Sequence, residues 1–141
     1  MAILFFCEDI KFNLKNKRLL KKWIKLSIEK EGKTSGQINY IFTSDKYLLK
    51  INQTYLSHNY YTDIVSFNYC TDSIISGDIY ISLETVKNNS VLFNVIYEDE
   101  LSRVIIHGVL HLIGYNDSSE TEKAIMIEKE DYYLARLKNL S

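Results

Sequence analysis

The sequence contains no proline, and only five of its 141 residues are glycine. No Pro-, Gly- or Ser-rich linker divides the chain and no internal repeat is visible. A length of 141 residues fits one domain, since domains cluster at roughly 100–150 residues. Cysteine is scarce too. Cys7 and Cys70 are too few for a disulfide framework or a multi-cysteine metal site. With no sign of secretion, free, buried thiols are expected in preference to a single Cys7–Cys70 bridge. Neither sign of charge dominates: 17 Lys and Arg face 18 Asp and Glu, a net charge of −1. That balance excludes a strongly basic nucleic-acid coat and an acidic tail, and leaves local patches open. Long apolar runs are missing as well. The most apolar stretch, Val104 to Tyr115, is far short of the ~20 residues of a membrane span and carries two histidines. The opening Met1-Ala2-Ile3-Leu4-Phe5-Phe6-Cys7-Glu8-Asp9 has no basic head and meets acids at once, unlike a signal peptide. A cytoplasmic protein with no membrane partner is expected.

What is present is a pattern of alternating strands and helices. Ile3 to Cys7 reads as a first strand. Leu20, Trp23, Ile24, Ser27 and Ile28 recur at helical spacing, and that helix should stop near Gly32. Ile38, Tyr40 and Phe42 alternate with Asn39 and Ile41, as in a strand with one strongly apolar face. Ser44-Asp45 caps a helix whose buried face is Leu48, Ile51 and Tyr55. Ile64 to Tyr69 and Asp78 to Ile81 read as two strands of an antiparallel hairpin, joined by a polar turn around Thr71 to Gly77. Ser82 caps a weakly patterned helix toward Val95. Leu101 to Ile113 is apolar nearly all round, as a helix buried in mid-domain must be, and should end at Gly114. Ser119-Glu120-Thr121-Glu122 is a capping box for a last helix with Met126, Tyr133 and Leu137 on one side. The class is α+β, a small mixed sheet packed against helices.

The chemistry concentrates in His107-Gly108-Val109-Leu110-His111-Leu112-Ile113-Gly114-Tyr115-Asn116-Asp117. His107 and His111 are four apart, so one helix face presents both imidazoles. Gly114 can take the left-handed conformation that turns the chain back and brings Asp117 toward them. Two neutral imidazoles and one carboxylate can hold one divalent ion and leave a coordination position open, the pattern of a catalytic rather than a closed zinc site. The competing readings are hydrogen-bonded core histidines and, for Asp117, a cap of the last helix. Against the first stands the apolar surrounding, where an unpaired imidazole costs free energy. The spacing is also similar to that of zinc metalloproteases, which place a glutamate general base directly after the first histidine. Gly108 stands there in this chain, which argues against a protease.

Over nearly its whole length the chain resembles the YbeY-type rRNA maturation factors, a family of metal-dependent endoribonucleases. The signatures are His-Gly-x-Leu-His-Leu-x-Gly-Tyr at His107 to Tyr115, Thr62-Asp63-Ile64-Val65-Ser66-Phe67, Gly77-Asp78-Ile79-Tyr80-Ile81, and Asn52-Gln53-Thr54-Tyr55. The resemblance implies a zincin-like α+β fold and one Zn2+ per chain, held on the long helix. It also implies single-stranded ribosomal RNA (16S) precursor as substrate, with ribosomal subunit proteins as further partners. The family commonly has a third histidine where Asp117 stands, and a carboxylate oxygen is an acceptable substitute. It commonly has an arginine where this chain has Leu56, and that arginine would suit phosphate recognition. A non-catalytic, metal-containing ribosome-assembly factor is therefore a second reading.

Further candidates follow. His58, where the family often has lysine, can supply a positive charge or a proton near neutral pH, or be a solvated loop residue. Asp63 and Glu100 are candidate general bases. Thr62, Asp63 and Ser66 suit structural hydrogen bonding at a strand start equally well. Tyr60-Tyr61 can stack unpaired bases, and Lys46 and Lys50, one turn apart, can border an RNA path, although packing and plain solvation are the commoner roles of such residues.

Overall fold

A computed structural model describes residues 2–56 and 63–141. The elements in chain order are β1 (Ile3–Cys7), α1 (Lys17–Lys30), β2 (Thr34–Thr43), α2 (Asp45–Leu56), β3 (Ile64–Asn68), β4 (Ile74–Ser82), α3 (Leu83–Leu92), α4 (Tyr97–Ile113) and α5 (Glu120–Leu140). The strands form one sheet in the order β1-β2-β4-β3. β1, β2 and β4 run parallel, and β3 pairs antiparallel with β4, so the sheet is mixed as expected.

Register decides which side chains meet the helices. Ile38, Tyr40 and Phe42 of β2 and Ile79 and Ile81 of β4 point to one face, and all are essentially fully buried. There they join Trp23, Ile24 and Ile28 of α1, Val104 to Ile106 and Val109 to Leu110 of α4, and Met126 and Tyr133 of α5 in the main core. The Tyr40 hydroxyl donates to the Ile105 carbonyl at 2.9 Å, which satisfies a polar atom that would otherwise be costly at this depth. The opposite face carries a smaller cluster. Ile41, Val65 and Leu48 are buried there beneath α2, outside the main core.

The boundaries depart from the sequence reading where local backbone chemistry overrides periodicity. The β3–β4 turn is far tighter than Thr71 to Gly77. Thr71 and Ile74 exchange backbone hydrogen bonds of 3.2 and 2.9 Å, and Asp72 supplies the left-handed residue at φ 53°. Ile74 to Gly77 are consequently strand. α4 begins at Tyr97, four residues before the apolar run, because Glu98, Asp99 and Glu100 suit the positive end of a helix. On α2, Ser44 Oγ accepts the Tyr47 N–H at 3.2 Å as a cap should. Tyr55, however, is 65% exposed, because Asn52, one turn after Leu48, takes the buried position. Tyr55 instead sets its ring edge-on to Phe67. The cysteines are free but not buried: Cys7, at the end of an edge strand, is exposed, and Cys70, just past β3, is half-buried. Among the described residues no helix is long and apolar enough to cross a membrane.

Candidate metal centre

The helix α4 has to lie close on the sheet to bring its histidines to the edge of the core. Gly108 permits this. A Cβ there would sit 2.8 Å from Ile79 Cγ2 and 2.9 Å from Ile64 Cδ1. Position 108 faces the strands, so the glutamate base of a protease has no room there. One turn apart on the neighbouring face, the His107 and His111 rings meet edge to face with centroids 4.5 Å apart.

The helix ends where the sequence requires. Gly114 has φ 124°, and its N–H reaches the Leu110 and His111 carbonyls at 3.1 Å. The Tyr115 N–H also returns to the Leu110 carbonyl at 3.0 Å. These bonds satisfy helix-end carbonyls and reverse the chain. Ser119 is the cap of α5: its Oγ accepts the Glu122 N–H at 3.1 Å, and Glu122 Oε1 accepts the Ser119 N–H at 2.9 Å. Asp117 is thus not the cap. It faces back, with Oδ2 3.4 Å from His107 Nε2 and 3.5 Å from His111 Nε2.

One ligand atom from each of His107, His111 and Asp117 lies within 4.8 Å of the others, a group that can hold a metal ion. The donor set fits. Two ligands about 2.0–2.1 Å from a tetrahedral ion stand about 3.3–3.4 Å apart, close to the two Asp117 spacings.

Glu130 was not foreseen. It lies on the buried side of α5 between Met126 and Tyr133, and it is 5% exposed. Its Oε2 stands 2.6 Å from His107 Nδ1, and its Oε1 accepts from Arg103 Nη1 at 2.8 Å. A carboxylate can only accept, so Nδ1 carries the proton and Nε2 turns its lone pair toward Asp117. Arg103 also donates to Asp131 at 2.6 Å, which ties α4 to α5. The available signal was a carboxylate on an otherwise apolar helical stripe.

The electrostatics divide the two imidazoles. Burial would lower the His107 pKa, but the hydrogen bond and charge of Glu130, with Asp117 and Asp63, outweigh it and raise the value. Burial and the neighbouring His107 charge lower that of His111. Asp63, at the head of β3, is raised by burial against the opposing pull of His107. Glu100, buried on the same stripe of α4 one and two turns before Arg103 and His107, is also raised by burial, against Arg103. Asp63 therefore stands in the field of the cluster, whereas Glu100 stands in that of Arg103, Asp63 and Glu130. Lys46 and Lys50 are exposed on α2, over the opposite face of the sheet. Ser66 is half-buried in β3, and the Asp63 carbonyl accepts the Ser82 N–H at 3.0 Å. His58, Tyr60, Tyr61 and Thr62 lie outside the described residues.

Fold and cluster together define an α+β protein in which two histidines of the central helix and an aspartate of the following turn can hold a metal ion. Residues 4–138 match the family described as Endoribonuclease YbeY. A relative of that name from Karelsulcia muelleri is 50% identical over 130 residues, covering 92% of each chain. One from Parabacteroides distasonis is 47% identical over 137 residues, 97% of this chain and 96% of the relative. The solution structure of TM1509 from Thermotoga maritima superposes with a TM-score of 0.67 at 28% identity, over 96% of this chain and 88% of that one. The chain belongs to the YbeY endoribonuclease family.

Proposed function

We propose that this chain is a zinc-dependent endoribonuclease that cleaves single-stranded ribosomal RNA precursor in the cytoplasm, beside ribosomal subunit proteins. The observation that carries the reading is the convergence of two imidazole Nε2 atoms and one carboxylate oxygen on a common centre, in a family whose members are named endoribonucleases. His107, His111 and Asp117 are the ligands. When bound, the ion supplies Lewis acidity toward a phosphodiester. Glu130 keeps the proton of His107 on Nδ1. Asp63 is the preferred one of the two candidate bases, since the charges of His107 and Asp117 both act on it, whereas Arg103 is the cation acting on Glu100.

The test compares cleavage of a single-stranded rRNA precursor fragment by the wild type, by His111→Ala and by the wild type with chelator. Cleavage confined to the untreated wild type supports the enzyme. Equal cleavage by the variant exposes a contaminating nuclease and removes the enzyme reading. Leu56, in the position of the family's usual arginine, favours the second reading, a non-catalytic assembly factor. Metal uptake and RNA binding without cleavage would establish that one instead.

A further inference from the structure

Asp117 differs from the histidines in how it is held. Its side chain is 42% exposed, against 19% for His107 and 25% for His111. It sits on the turn between Gly114 and Ser119, so its own burial does little to fix it. Anchors on either side must. The C-terminal anchor is the Ser119–Glu122 capping box, reinforced by the Ser118 N–H to Glu122 Oε1 at 3.2 Å.

The anchor on the N-terminal side is Tyr115, and its hydroxyl reaches across the molecule. It donates to Glu31 Oε1 at 2.5 Å, at the C-terminal end of α1. The other oxygen of that carboxylate accepts from the Tyr133 hydroxyl of α5 and from Lys129 Nζ at 3.1 Å. Lys129 also lies over the Tyr115 ring, 5.4 Å from its centroid. Tyr133 is fully buried, and its carbonyl accepts the Trp23 indole N–H at 2.7 Å. A carboxylate is poorly placed at the negative end of a helix, and Glu31 is only 10% exposed. Three donors on one carboxylate outweigh that cost and join α1, α5 and the turn at a single point.

We infer that Glu31, acting through the Tyr115 hydroxyl, is a positioning residue for Asp117 and so sets the metal affinity of the site. The inference rests on the metal-centre reading above. Residues outside a coordination sphere that orient its ligands typically change affinity by about 10–100-fold when removed.

The experiment measures zinc affinity of the full chain by competition with a chromophoric chelator. Tyr115→Phe removes one oxygen and keeps the ring beneath Lys129, so the fold survives. It is expected to weaken zinc binding about tenfold. Glu31→Gln retains an acceptor for the hydroxyl and should lose less. Asp117→Ala supplies the background that separates positioning from general support. In that background Tyr115→Phe should change nothing further, because the ligand it positions is gone. Unchanged affinity in Tyr115→Phe alone, or a second tenfold loss in the Asp117→Ala background, overturns the inference while leaving the metal centre standing. A wild type that takes up no zinc overturns the metal centre and the inference with it.

Discussion

The two sources of the proposed ligands are built on opposite terms. His107 and His111 stand on α4, a helix with nearly every face packed, and their separation follows from helical geometry. Asp117 stands on an exposed turn whose position follows from Gly114, Tyr115 and the Ser119 box. Helix-borne ligands inherit the rigidity of the core. A turn-borne ligand has only the rigidity of its anchors. The contrast teaches where substitution is tolerated: helix positions should fail by loss of metal or of fold, turn positions by graded loss of affinity.

The largest effect sharpens the helix side. His107→Ala or His111→Ala leaves one imidazole and one carboxylate, and zinc affinity should fall by more than about a hundredfold in a chelator competition, beyond the loss expected for an outer partner, with the far-ultraviolet circular dichroism unchanged. Next is Gly108→Ala. The Cγ2 of Ile79, fixed on a β-branched carbon in the core, cannot rotate away from the added methyl. Overpacking of this kind costs about 1–3 kcal/mol, readable as a lowered urea midpoint.

Glu130→Gln tests whether His107 depends on its buried partner. The amide is a weaker acceptor toward Nδ1 and no longer balances Arg103, so zinc affinity should drop about tenfold. An unchanged affinity would mean that helix packing alone orients the ring.

The smallest effect belongs to the turn side. Burial works to raise the Glu31 pKa, but the bonds from Tyr115, Tyr133 and Lys129 hold it below its ordinary 4.5. The stability this carboxylate contributes is thus fully present above 4.5 and is lost as pH falls through the lower folded value. The thermal midpoint of the wild type should exceed that of Glu31→Gln at pH 6, and the gap should close on acidification. A gap that is constant with pH would show that the Glu31 charge adds nothing.

Most of this contrast was legible in the sequence on the helix side and little of it on the turn side. An apolar run with histidines four apart announces a buried helix with a polar edge, and both histidines lie where that spacing places them. Asp117 could be read from the glycine before it, since only a reversal after Gly114 returns the carboxylate. Nothing in the sequence connects Asp63 with Glu100, and in the fold the Asp63 charge is among those acting on Glu100. The apolar stripe around Glu130 marks it as unusual, but its pairing with His107 and that of Glu31 with Tyr115 are not legible, because the partners are 23 and 84 residues away and no local pattern encodes such pairings. The Thr71–Ile74 turn was missed for a different reason: Asp72 supplies a left-handed residue without glycine.

The most direct measurement is elemental analysis of the wild-type protein purified without chelator or a nickel column. About one zinc per chain, absent from a folded His107→Ala variant, is the predicted result. A wild-type chain that is folded and free of metal would mean that His107, His111 and Asp117 converge for packing alone.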